Sequence, residues 1–157
     1  MKAISPVIAT VIIVAVAIAI AVAVAFWMTG ITGTFTRYEK LEVTYAYAES
    51  ISSPITGWKV TLKISNTGPS DATIDDVFIN GKPLSAYDTT DITSISYTDT
   101  TSGTYTPGET IDIKVASGDS IILYIYLDDN TFNSGQTVEI KVHTAAGNEY
   151  PKQVTLP

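Results

Sequence analysis

Hydrophobic residues are concentrated at one end of this chain of 157 residues. Residues 7–28 read VIATVIIVAVAIAIAVAVAFWM, with Thr10 as their one polar residue, and no Asp, Glu, Lys or Arg lies between Lys2 and Arg37. A helix rises about 1.5 Å per residue and a bilayer core is about 30 Å thick, so roughly 20 such residues can span a membrane. The pattern predicts a long apolar helix from about Ser5 to the Gly30–Gly33 region or slightly beyond. Residues 3–38 are here called the stalk, and residues 39–157 are predicted to form a polar head.

Residues 14–25 of the stalk alternate strictly, as VAVAIAIAVAVA. Period two usually indicates a strand, but both members of each pair are apolar here, so neither face is polar. In a helix the alanines spread around every side and let other helices approach closely. We therefore interpret the stalk as a helix that packs against other helices on all sides. A monomeric membrane anchor is the alternative, because hydropathy does not separate the two. A signal peptide would have a shorter apolar core, of about 7–15 residues.

Local signals predict where this helix begins and weakens. Pro6 suits a first turn, where its missing N–H costs least, and Ser5 before it is a favourable N-cap. Near the other end Gly30 and Gly33 each disfavour helix by about 1 kcal/mol relative to Ala. Residues 29–36 are therefore either a weakened stretch where stalk meets head or ordinary helix with two tolerated glycines.

Beyond residue 40 the pattern changes to short alternating runs separated by turn residues, of which Asn80-Gly81 is typical of a two-residue hairpin. About eight strands at this spacing indicate an immunoglobulin-like antiparallel sandwich, so the predicted fold class is α+β. The candidate strands are residues 41–48, 57–65, 74–80, 92–98, 109–116, 120–127, 137–144 and 149–156.

Alternation also predicts which strand positions face the core. Residues 121–127 differ because they are apolar on both faces, with Tyr124 and Tyr126 opposite Leu123, Ile125 and Leu127. Such a strand is either central and covered on both sides, or it presents a tyrosine face to a neighbouring subunit. The other predicted inward positions are Val60, Leu62, Ile64, Ile111, Ile113, Val115, Val138, Ile140 and Val142.

Residues 85–106 are rich in Ser and Thr, and they predict a long exposed loop or a weak edge strand. In a surface protein this composition suits O-linked glycans, and a solvated loop without sugar is the alternative. The sequence contains no Asn-x-Ser/Thr triplet, so conventional N-glycosylation is not expected.

Composition narrows the function classes. The 16 Asp and Glu all lie beyond Tyr38 and outnumber the 9 Lys and Arg, which argues against nucleic-acid binding. Cysteine is absent, so disulfides and thiolate metal sites are excluded. No catalytic motif occurs, so we expect neither an enzyme nor a cofactor. We expect His143 to be a surface bystander, and we assign turn and cap roles to Asp75-Asp76 and to residues 128–130 rather than calcium binding.

Residues 2–40 closely resemble the amino terminus of archaeal type IV pilins. The match is carried by basic Lys2, small Ala3, the motif Ile4-Ser5-Pro6-Val7 and the apolar helix, and it is only architectural over the head. Bacterial type IV pilins carry Glu where this chain has Val7. Archaellins, the motility relatives, typically begin with a Gly-Ile-Gly-type motif, so Ser5-Pro6 favours a pilus over a motility filament.

The resemblance implies a structural subunit of an extracellular pilus for surface or cell–cell adhesion. It implies that a prepilin peptidase cuts between Lys2 and Ala3, making residues 1–2 the leader. It also implies storage in the cytoplasmic membrane, then assembly by an ATPase and a membrane platform into a helical homopolymer. The alternatives are an archaellin-type motility subunit and a monomeric membrane-anchored extracellular binding module. The residues predicted to make subunit contacts are Ile4, Val7, Val11, Val14, Ile18, Ala21, Val22, Phe26 and Trp27.

Overall fold

A computed structural model of the chain describes residues 5–35, 38–53, 55–98 and 103–157. The chain divides into two compact units, Met1–Tyr38 and Glu39–Pro157. In the first unit helix α1 spans Pro6–Phe35, and the second unit is built from antiparallel strands. The predicted α+β class, one long apolar helix followed by antiparallel sheets, is confirmed.

The strands of the second unit form two antiparallel sheets. The described strands are β1 Leu41–Ile51, β2 Gly57–Asn66, β3 Ala72–Ile79, β4 Lys82–Pro83, β5 Ile92–Thr98, β6 Gly103–Tyr105, β7 Ile113–Val115, β8 Ser120–Asp128, β9 Thr137–Thr144 and β10 Glu149–Thr155. The first sheet has the order β1-β2-β8-β5-β6. The second has the order β10-β9-β3-β4, and β7 also pairs with β3. The immunoglobulin-like detail is not confirmed and stays a prediction.

One hydrophobic core lies between the two sheets. Buried side chains from both sheets belong to a single cluster, in which Leu62 of β2 and Ile140 of β9 are fully buried. Alternation predicted its members correctly because successive side chains of a strand point to opposite faces. All nine inward positions outside β8 that the pattern predicts are buried, as are Ile121, Leu123, Ile125 and Leu127 of β8.

The predicted hairpin at Asn80-Gly81 is present. Ile79 pairs with Lys82, so Asn80 and Gly81 alone form the turn between β3 and β4. Asn80 has φ 50° and Gly81 φ 78°, the two positive values that a type I′ turn requires. The Asn80 side chain also accepts a hydrogen bond from the Glu139 amide at 3.0 Å, which ties the turn to β9.

Two segments differ from the sequence-based expectation. In the described part of residues 85–106, the long-loop alternative does not hold for residues 92–98, because β5 pairs with the central strand β8. The edge-strand alternative fits β6, which forms the edge of the sheet. Strand β7 covers Ile113–Val115 and not the predicted 109–116, and it is preceded by a turn in which the Glu109 carboxylate accepts the Thr106 amide at 2.6 Å. This bond lowers the pKa of Glu109.

Candidate assembly helix

Helix α1 is continuous over 30 residues, as the pattern predicts, and is about 45 Å long. Its first turn is closed by the Ser5 carbonyl, which accepts hydrogen bonds from the amides of Ile8 at 3.0 Å and Ala9 at 3.2 Å. Pro6 is the first helical residue, where its fixed φ suits the turn. The alternating pattern of residues 14–25 therefore lies in a helix and not in a strand.

The polar side chains that the structure describes in α1 are turned back onto their own helix. The Thr10 hydroxyl donates to the Val7 carbonyl at 2.9 Å, and Thr29 donates to Ala25 at 2.8 Å. Thr32 does the same to Met28 at 2.9 Å. Each hydroxyl proton is therefore already bonded, and these threonines add methyl groups to an apolar surface.

The surface of α1 is apolar on every side. All described side chains over residues 5–33 are exposed within the single chain, and Phe26 is the most exposed of the large ones at 76%. By length and composition, residues Pro6–Gly33 can cross a membrane, a test that signal sequences also pass. Of the predicted contact residues Ile4 lies outside the described part, and the exposed ones are Val7, Val11, Val14, Ile18, Ala21, Val22, Phe26 and Trp27.

The glycines do not interrupt the helix. Gly30 and Gly33 both lie inside α1, and a Cβ added at either position would meet nothing within 4 Å. Of the two readings of residues 29–36, helix with tolerated glycines is therefore the observed one as far as Phe35, and residue 36 lies outside the described part. The predicted cleavage residues, Lys2 and Ala3, also lie outside the described residues.

Asp75, Asp76 and Asp128, which could have suggested a metal site, have other partners. His143 is not a bare surface residue, since its Nδ1 lies 2.6 Å from Asp75 Oδ1. Asp76 accepts a hydrogen bond from the Val77 amide at 2.7 Å, at the point where the pairing of β3 with β9 shifts its register. Asp75 and Asp76 therefore lie at a bulge and not at the predicted turn. Asp128 has the predicted turn role and accepts the Asn130 amide at 2.8 Å. Among the described residues, no three His, Asp or Glu side chains converge as metal ligands would.

The sequence reasoning missed Glu39, which begins the second unit. Its side chain is only 7% exposed, and its Oε1 accepts hydrogen bonds from the Thr144 hydroxyl and from Asn148 Nδ2, the latter at 2.9 Å. The next carbonyl, that of Lys40, accepts the Thr67 amide at 2.8 Å. The first residues of the head are thus hydrogen-bonded to the β9–β10 turn and to residue 67. A lone Glu before an apolar run gave no signal of this.

No family model and no curated protein matches the chain. Among solved structures it is similar to an Iho670 flagellar-like filament, with 16% identity, a TM-score of 0.43, and 97% of this chain and 98% of that chain covered. It is similar to the archaellum periplasmic stator protein FlaG from Sulfolobus acidocaldarius, with 16% identity, a TM-score of 0.41, and 74% and 99% covered. A third similar structure is the archaeal flagellum of Methanospirillum hungatei strain JF1, with 14% identity, a TM-score of 0.46, and 96% and 88% covered.

These neighbours are archaeal filament and archaellum proteins. All three likenesses fall below 25% identity and below a TM-score of 0.5. They do not assign a function to this chain, and any assignment must come from its own residues.

Proposed function

We propose that this chain is a structural subunit of an extracellular archaeal type IV pilus that polymerises through α1. The observation that carries the proposal is the surface of α1, which is apolar on all sides and exposed over residues 5–33. Removing apolar surface from water is favourable by about 25 cal/mol per Å², so such a helix is stable only where another apolar surface buries it. Lipid supplies this apolar surface before assembly, and copies of the same helix supply it in the filament core.

The absence of a polar stripe favours a bundle over a two-helix contact. A helix that packs on one partner needs one apolar face, whereas α1 is apolar all round, as expected of a helix with neighbours on every side. Alanines at alternate positions of residues 14–25 leave room for close approach in all these directions. We assign subunit contacts to Ile4 and to the residues named above, from Val7 to Trp27.

The test is a charge at the middle of the helix. A charged side chain there costs about 2.5–3.5 kcal/mol in lipid and finds no partner in a dry core, so Ala19→Asp should abolish filaments in electron micrographs of sheared cell-surface material. Ala19→Val is the matched control and should assemble, because it keeps the position apolar. Normal filaments from Ala19→Asp would contradict the proposal, and membrane-held chains without filaments in the unaltered strain would favour the anchor alternative.

Processing gives a second, independent test. We propose that the prepilin peptidase removes Met1 and Lys2, so that subunits in filaments begin at Ala3 while the membrane pool retains both residues. The freed α-amino group would lie near the positive end of the helix dipole, and it therefore requires solvent or a polar neighbour. Intact-mass measurement of sheared filaments decides this. Subunits that still contain Met1 and Lys2 would weaken the pilin assignment.

Adhesion, rather than motility, is the role we propose for the filament, on the basis of the Ser5-Pro6 start. A strain lacking the chain should lose surface attachment and retain swimming. Loss of swimming with normal attachment would instead indicate the archaellin-type alternative. O-linked sugar on residues 85–106 stays a prediction, which glycopeptide mass spectrometry of the same filaments would test.

A further inference from the structure

The outer face of the first sheet carries an aromatic surface that the core does not use. Its strands are aligned so that outward side chains form three rows across β1, β2, β8 and β5. We call these twelve residues the tyrosine face: Tyr47, Thr61, Tyr124 and Ser96 in the middle row, Tyr45, Lys63, Ile122 and Thr98 on one side, and Glu49, Lys59, Tyr126 and Ser94 on the other.

The tyrosine face is preformed and only partly covered. Tyr45 is 39% and Tyr47 49% exposed, and their ring centroids lie 6.0 Å apart. At its centre Thr61 is 2% exposed, and its Oγ1 has no hydrogen-bond partner among the described residues. Neighbouring side chains cover Thr61, and the Tyr45 and Tyr47 rings lie next to each other on this face. Tyrosines of this kind are enriched where proteins contact one another.

Charge separates the tyrosine face from the rest of the head. The chain has 16 acidic and 9 basic residues, all but Lys2 of them beyond residue 36, so two heads repel each other over most of their surfaces. The tyrosine face contains two lysines and one carboxylate, Glu49, which is paired with Lys59. That contact raises the pKa of Lys59, chiefly through the hydrogen bond with Glu49. Lys63 remains as the excess positive charge of the face.

We infer that the tyrosine face binds an acidic surface of a second copy of this chain in the filament. This inference rests on the proposed function, because polymerisation through α1 would hold neighbouring heads at high effective concentration. An acidic copy complements the excess charge of Lys63, and the rings supply apolar contact on a face whose single carboxylate among the twelve residues, Glu49, is paired with Lys59. The contact is between unlike surfaces, and a repeated contact of that type continues along an open helical polymer.

Filament dissociation in mild detergent tests the inference with four variants of the full chain. Lys63→Glu reverses the excess charge and Tyr47→Ser removes the most exposed ring of the face. Each should raise the dissociation rate about tenfold, as truncation of a central interface residue typically does. Lys152→Glu makes the same charge change on exposed β10, and Tyr47→Phe keeps the ring, so both controls should stay within about twofold of the unaltered filament.

Three results separate the inference from the proposed function. Equal dissociation rates for Lys63→Glu and Lys152→Glu filaments would overturn the inference and leave the filament assignment intact. Failure of Lys63→Glu to form filaments, while Lys152→Glu forms them and both heads unfold at the same temperature, would support it. Absence of filaments from the unaltered chain would contradict the proposed function and, with it, this inference. Added salt should raise the dissociation rate of the unaltered filament relative to that of Lys63→Glu, because screening weakens the attraction of Lys63 in the first and a repulsion in the second, while repulsion between the acidic heads is screened alike in both.

Discussion

At the scale of single residues, Tyr87 joins the core to the β3–β4 turn. Its buried hydroxyl donates to the Ile79 carbonyl at 2.7 Å, and Lys82 Nζ lies 4.5 Å from its ring centroid. Tyr87→Phe should lower the free energy of unfolding by about 1 kcal/mol at neutral pH, as loss of one hydrogen bond usually does. Denaturant titration of the full chain in detergent measures this, and an unchanged value would show that the bond contributes nothing.

The same residue predicts a pH dependence. Burial, and secondarily the charge of Asp91, raises the pKa of Tyr87 above its ordinary value of 10.0. A group whose pKa is raised by folding contributes stability that is fully present below the unfolded pKa and is lost as the pH rises through the folded one. Unfolding free energy should therefore fall more steeply above pH 10 in the unaltered chain than in Tyr87→Phe. Parallel slopes in the two proteins would contradict the burial argument.

Glu39 gives a residue-scale prediction with a neighbour as control. Glu39→Ala removes the acceptor of both Thr144 and Asn148 in a buried place, and should cost about 2–3 kcal/mol of unfolding free energy. Glu42→Ala breaks only the exposed ion pair with Lys40 and should cost less than about 1 kcal/mol. Thermal unfolding in detergent compares the two. Equal losses would mean that the Glu39 bonds do not stabilise the head, and Glu39→Gln, which keeps an acceptor, should recover part of the loss.

At the scale of elements, replacing Gly by Ala should destabilise the β3–β4 turn but stabilise helix α1. Gly81→Ala places a Cβ on a residue with φ 78° and should destabilise the head by about 1–2 kcal/mol. Gly30→Ala lies inside α1, where an added Cβ meets nothing within 4 Å, so it should leave head unfolding unchanged and favour helix by about 1 kcal/mol. Head unfolding temperatures of both variants provide the measurement. A harmless Gly81→Ala would show that the turn relaxes to another type.

At the scale of the whole molecule, assembly and head stability should be separable. The core cluster runs from Leu41 to Leu156, so all its members belong to the second unit. Ala19→Asp should therefore abolish filaments and leave the head's unfolding temperature in detergent unchanged. A lowered temperature would show that the helix contributes to head stability.

Much of this organisation could be predicted from the chain, and the failures have identifiable causes. Inward strand positions such as Leu62 and Ile140 were predictable because alternation reports a two-faced environment directly. The bounds of the short strands β4 and β6 were not, since two or three residues are too few for a pattern. Residues 92–98 were identified as a strand, but their composition suggested an edge, whereas pairing places β5 between β8 and β6. Composition describes exposure and carries no information about which strands become neighbours.

The sequence by itself determined the elements whose cause is local. An unbroken apolar run of this length must close its backbone hydrogen bonds internally, so it is a helix despite its period of two, and Asn80-Gly81 dictates a tight turn through the φ values these residues tolerate. Only the tertiary structure decided what depends on residues distant along the chain. Glu39 is bound by residues more than 100 positions away, and the tyrosine face exists because register aligns rows from four strands. Register is set by the collective burial of the core, and no short stretch of sequence records it.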